Sequence, residues 1–132
     1  MEKTIKEKYK IAVIEDEEIT SKSLVGELED AGFEVITAFD GEQGLQLISK
    51  ERPDLVLLDI VMPKMDGMTM MKKLRESGGL GRRIPIILLT NLNADDKITS
   101  SVAQNEPAYY LVKSNYTVAD VVAKVKDCLE RI

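Results

Sequence analysis

Pro53-Asp54-Leu55-Val56-Leu57-Leu58-Asp59-Ile60-Val61-Met62-Pro63-Lys64-Met65-Asp66-Gly67 is the stretch from which the rest of this chain is read. Leu55 to Leu58 is an unbroken apolar run of strand length, introduced by Pro53 and closed by Pro63 and Gly67. Because it does not alternate, it offers no face to water, which predicts a central strand covered on both sides. Asp59 follows at the carboxyl end of that strand. Ligands of open parallel sheets bind in the crevice beyond the strand ends, so this carboxylate is a candidate site residue; the competing reading is an Asp that only caps a loop.

Working outward, the same punctuation recurs. Ile11 to Ile14 is a short apolar run that delivers Glu15, Asp16, Glu17 and Glu18 into a turn. Residues 18 to 31 carry Ile19, Leu24, Val25, Leu28 and Ala31 at helical spacing, with Gly32 as the helix stop. Phe33 to Phe39 alternates and is rich in β-branched and aromatic residues, which predicts a strand nearer a sheet edge. Asp40 starts a helix to about Lys50, with Leu45, Leu47 and Ile48 inward. Asp66 is an N-cap ahead of Met68, Met71 and Leu74, and Gly78, Gly79 and Gly81 break the chain. Pro85 to Thr90 is a fourth strand, and residues 95 to 104 form a weak helix anchored by Ile98 and Val102. Tyr109 to Lys113 is a fifth strand, and Thr117 caps a last helix whose Val118, Val121, Val122, Val125 and Leu129 lie on one stripe. Strand and helix thus alternate through the whole chain. This predicts a single domain over residues 1–132, core about 9–131, of the α/β class: a doubly wound five-stranded parallel sheet with helices on both faces.

Composition narrows the chemistry. With 44% hydrophobic and 31% charged residues in a chain of 132, this is the balance of a soluble globular protein. No apolar run approaches bilayer length, and the opening MEKTIKEKYK lacks the apolar core of a signal peptide, so a cytoplasmic location and no membrane contact are expected. A formal charge of -5 argues against direct nucleic-acid binding, which needs a basic footprint. Cys128 is the only cysteine; it can form no internal disulfide and reads as core. There is no histidine, which removes Ser/His and Cys/His nucleophile pairs and His-containing metal sites. Chemistry here must run on carboxylates, lysine and hydroxyls.

Those groups stand at strand ends. Glu15 and Asp16 follow the first predicted strand, Asp59 the third and Thr90 ends the fourth, while Lys113 ends the fifth. Parallel strands point the same way, so the five residues converge on one edge. Three carboxylates gathered there repel one another and call for cationic partners. Lys113 supplies one positive charge and a hard divalent cation the rest, and oxygen ligands of this kind suit magnesium. A metal, a hydroxyl and an ammonium around one carboxylate also make a phosphoryl-transfer site.

On these residues the chain resembles the receiver domains of two-component response regulators over essentially its whole length. Asp59 with Met62-Pro63 and Asp66-Gly67 reproduces the D-x-x-M-P-x-x-D-G signature of that family. The resemblance implies a flavodoxin-like strand order 2-1-3-4-5 and Asp59 as phosphoacceptor, with Thr90 and Lys113 as its catalytic partners. It implies Mg2+ held by Asp16 directly, Glu15 through water, Asp59 and the backbone carbonyl of Val61. Thr90 and Tyr110 take the family's switch positions, and Val61, Asn91 and Leu92 its rim. Lacking histidine, the chain would take its phosphoryl group from a sensor histidine kinase, a phosphotransfer protein or a small phosphodonor. Output would pass through the face of the fourth predicted helix and fifth strand to a downstream protein partner or a fused effector domain. Such a domain catalyses its own aspartyl phosphorylation and dephosphorylation without being a conventional enzyme.

Three features depart from the family pattern: Ser114 stands where Pro is usual, Asn91 where a small residue is usual, and residues 104–109 lack a Gly. They bear on rate and switch geometry. Of the rival readings, a flavin carrier would need a first loop that cradles phosphate, which EDEE would repel. A phosphatase of the haloacid dehalogenase type needs an acid where Val61 stands. A pseudo-receiver, binding partners without phosphorylation, is opposed by intact Asp59, Thr90 and Lys113.

Overall fold

A computed structural model describes residues 8–60, 62, 64–90, 109–112 and 116–130, with only the backbone of Thr90 and Tyr110. In chain order the elements are β1 (Lys10–Ile14), α1 (Glu18–Asp30), β2 (Glu34–Ala38), α2 (Gly41–Glu51), β3 (Leu55–Leu58), α3 (Gly67–Glu76), α4 (Leu80–Arg83), β4 (Ile86–Thr90), β5 (Tyr109–Val112) and α5 (Val118–Glu130). The strands form one parallel sheet in the order β2-β1-β3-β4-β5, as expected, with β3 at its centre and β2 at an edge.

All four residues of β3 are buried, and the pleat divides them between two layers. Leu55 and Leu57 pack with Leu24 and Leu28 of α1 and Val121 and Val125 of α5. Val56 and Leu58 pack with Ile48 of α2 and Met70, Met71 and Leu74 of α3. An unbroken apolar strand is thus what a sheet covered on both faces requires. Cys128 is buried in the first layer.

Helix starts follow the side-chain chemistry. Asp40 accepts from the Gln43 N–H at 2.8 Å and Asp66 from the Thr69 N–H at 2.8 Å, each satisfying a donor that the first helical turn leaves open. Thr117 and Asp120 cap α5 reciprocally: the Thr117 N–H donates to the Asp120 carboxylate at 2.9 Å, and the Asp120 N–H to the Thr117 hydroxyl at 3.1 Å. The backbone bond, followed by the hydroxyl, holds the Asp120 carboxyl below its ordinary value of 3.8. Gly32 ends α1 at φ +96°, a conformation glycine adopts without strain.

Two expectations are corrected. Ile19 is not an inward residue of α1 but 78% exposed. The buried stripe runs through Ser21, Leu24 and Leu28, and at 100° per residue Ile19 points about 140° or more away from each of them. The glycine-rich stretch after α3 does not simply break the chain, because Leu80–Arg83 makes a further helical turn. There a Cβ on Gly81 would meet the Leu74 carbonyl oxygen at 2.3 Å, so glycine lets α4 fold back against α3. The weak helix read over residues 95 to 104 lies outside the described residues. Among the described residues no helix is long and apolar enough to cross a membrane.

Candidate functional site

β1 and β3 are neighbours in register, with Ile14 opposite Leu58, so the residues that follow both strands emerge side by side. The Asp59 N–H donates to the Ile14 carbonyl at 3.0 Å and the Glu15 N–H to the Ala38 carbonyl at 3.1 Å, which fixes the backbone beneath both carboxylates. Glu15, Asp16 and Asp59 each bring a carboxylate oxygen within 4.8 Å of the others. Glu15 and Asp59 are 2% and 8% exposed, whereas Asp16 faces solvent, so the cluster opens on one side. Carboxylates this close repel one another, least at the solvent-facing Asp16, where water screens the charge. Oxygen donors of this charge and spacing fit a hard divalent cation, whose presence would offset that repulsion.

The loop from β3 to α3 is pinned twice. At its far end the Gly67 N–H donates to the Ile60 carbonyl at 2.8 Å. A Cβ on Gly67 would lie 2.1 Å from the Asp59 carbonyl oxygen, so only glycine allows the loop to close against the site. In the middle, the Gly41 N–H donates to the Met65 carbonyl at 3.2 Å, and Lys64, at φ +64°, places its Nζ 3.8 Å from Oδ2 of the buried Asp40. Sequence reasoning used Asp40 only as a helix start and missed this grip. The signal was present: Asp40-Gly41 and Asp66-Gly67 are the same dipeptide, each an N-cap followed by a buried first helical residue.

Of the residues singled out from sequence, Glu15, Asp16 and Asp59 are brought together. Thr90 ends β4 two residues beyond Leu88, the register partner of Leu58, so its backbone reaches the same edge of the sheet. Tyr110 pairs with Leu88 in β5. Lys113, Val61, Asn91, Leu92 and Ser114 lie outside the described residues. At the same edge, in the first turn of α1 and just after β2, stand the exposed apolar side chains of Ile19 and Phe39.

Comparison with known proteins bears on the family and the fold. Residues 11–126 match the family model of the response regulator receiver domain. The alkaline phosphatase synthesis transcriptional regulatory protein PhoP of Bacillus subtilis is 38% identical over 109 residues, 74% of this chain and 44% of its own length. A probable transcriptional regulator, ycf27, of Porphyridium aerugineum is 35% identical over 127 residues, 96% of this chain and 50% of its own. The chain therefore spans about half the length of these curated relatives. The BeF3-activated N-terminal receiver domain of Klebsiella pneumoniae RstA superposes with a TM-score of 0.79 at 31% identity, covering 91% of this chain and 97% of that one.

Proposed function

Since the chain belongs to the response regulator receiver family and so serves two-component signalling, we propose that Asp59 is its phosphoacceptor and that acceptance depends on Mg2+. The observation that carries this reading is the gathering of Glu15, Asp16 and Asp59 at the carboxyl edge of the sheet. A carboxylate oxygen of Asp59 attacks phosphorus in line as the P–N bond of a phosphohistidine breaks. An acyl phosphate forms on Asp59, and the donor imidazole leaves with the electron pair of that bond. Asp16 and Asp59, with Glu15 through water and the carbonyl of Val61, would hold the metal. When bound, magnesium neutralises charge on the carboxylates and on the phosphoryl oxygens. Thr90 and Lys113 are read, through the family likeness, as the hydroxyl and ammonium that grip those oxygens.

The whole chain is read as one receiver domain. Its donor is a sensor histidine kinase or a phosphotransfer protein, and its output goes to a protein partner or a fused effector. Relatives named as transcriptional regulators, about twice as long, support the fused arrangement as one form of output. Thr90 and Tyr110 would carry the change outward, a two-state element biased by the new charge.

Incubation with acetyl phosphate and magnesium, followed by intact mass, should add a single phosphoryl group. Labelling that persists in Asp59→Asn or in excess chelator would overturn the assignment. On the labelled sample, amide exchange should change most through residues 90–112; changes confined to residues 59–67 would remove Thr90 and Tyr110 as the route.

A further inference from the structure

Between the carboxyl-terminal ends of α2 and α3, roofed by the chain from Ser77 to Gly81, lies an open groove of about 490 Å3. Its apolar walls are Leu45, Ile48, Leu74 and Leu80; Ile48 and Leu74 are buried, whereas Leu45 and Leu80 are partly exposed. Crossover helices run back against the parallel strands, so the groove lies at the sheet edge opposite Asp59. We propose that it docks an acidic segment of a partner protein, one in which a large apolar side chain is flanked by carboxylates. This is independent of the phosphoacceptor reading, since the two sites are on opposite edges.

Charge is the first support. The chain carries a formal charge of -5, yet Arg52 and Lys73 line this groove and Arg82 and Arg83 directly follow it. Among the described residues none of these four is in an ion pair; Lys8, Lys50, Lys72 and Lys126 share that state, so what distinguishes the four is that they gather at one apolar slot. A net-acidic surface that leaves four cations unmatched around an apolar slot is complementary to an acidic segment.

The backbone at Arg52 is the second support. This residue ends α2 in the left-handed region, φ 48° and ψ 61°, where glycine or asparagine is the unstrained choice. Its backbone N–H caps α2 by donating to the Ile48 carbonyl at 2.9 Å, but its side chain makes no hydrogen bond or ion pair among the described residues, so no side-chain contact within the fold accounts for an arginine in place of glycine there. Strain retained at a rim cation is what a binding role would preserve.

The roof is also preformed. Arg75 donates from Nη1 to the carbonyls of Gly81 at 3.1 Å and Ile84 at 2.7 Å, and the Ser77 hydroxyl to that of Leu74 at 2.6 Å. A partner would meet a shaped slot with little ordering left to do, large enough for one or two apolar side chains.

The test is fluorescence anisotropy with a short labelled peptide bearing one Phe among Asp and Glu residues. Binding should be saturable, should weaken with salt, should fall roughly tenfold or more in the double variant Arg52→Glu, Lys73→Glu, and should be lost when the peptide Phe is replaced by Ala. Arg52→Gly should bind the peptide less well and yet melt higher than the parent, because it removes both the cation and the strain. A purely structural Arg52 would not give that pair of results. The proposal falls if no saturable binding is seen, if the charge-reversed variant binds equally, if the Ala peptide binds as well, or if Arg52→Gly melts lower. It also falls if sedimentation shows the parent associating with itself through this rim, since the occupant would then be a second copy of the chain.

Discussion

At Asp59 a carboxylate only 8% exposed shares a neighbourhood of 4.8 Å with Glu15 and Asp16. The three carboxylates repel one another, and a divalent cation between them would offset that repulsion. Asp59→Asn removes one charge while preserving shape. In chelator it should melt higher than the parent, by an amount worth about 1 to 2 kcal/mol, and the gap should close as magnesium is added. Calorimetry reads this directly, and an unchanged or lower melting temperature would count against a shared acidic pocket. These acids were legible in the sequence because each ends an apolar run, and strand ends in a parallel sheet collect on one edge. Ile19 was misread because the buried stripe of α1 is set partly by Ser21, 3% exposed, whose polar composition gives no sign of burial.

The loop between β3 and α3 is short, and backbone atoms close it on its own strand end and tie it to α2. Gly67 rests on the Asp59 carbonyl and Gly41 on Met65, so neither contact leaves room for a methyl group. Gly67→Ala must push the loop or the strand end by an ångström or more, and placement errors of that size cost about a hundredfold in a reaction governed by positioning. The expected result is a fall in the rate of acetyl phosphate labelling of about that order, with the far-UV circular dichroism of the parent retained. A labelling rate equal to the parent's would mean the loop does not position the site. At this scale the caps at Asp40, Asp66 and Thr117 were readable from residue type. The grip of Asp40-Gly41 on Lys64-Met65 was not, because it joins segments whose adjacency only the sheet order establishes. The extra turn α4 escaped for a related reason: three glycines read as a break, whereas one of them serves close packing.

Across the whole molecule, the order β2-β1-β3-β4-β5 places β1 between the two strands that follow it in sequence. Three adjacent strands are therefore complete within residues 10–58, before β4 and β5 are required. All three acids of the site are attached to this first half, at residues 15, 16 and 59. If the first half forms the nucleus from which the chain folds, its mutual repulsion belongs to the folding barrier and not only to the finished structure. Divalent metal would then stabilise the transition state as well as the folded form: adding magnesium should raise the refolding limb of the chevron, most strongly at low denaturant, and leave the unfolding limb less changed. If magnesium slowed unfolding alone, the acids would have met only after the barrier was crossed. With the expected result, the ion proposed for the acidic site would also set how quickly a newly made chain reaches its folded form.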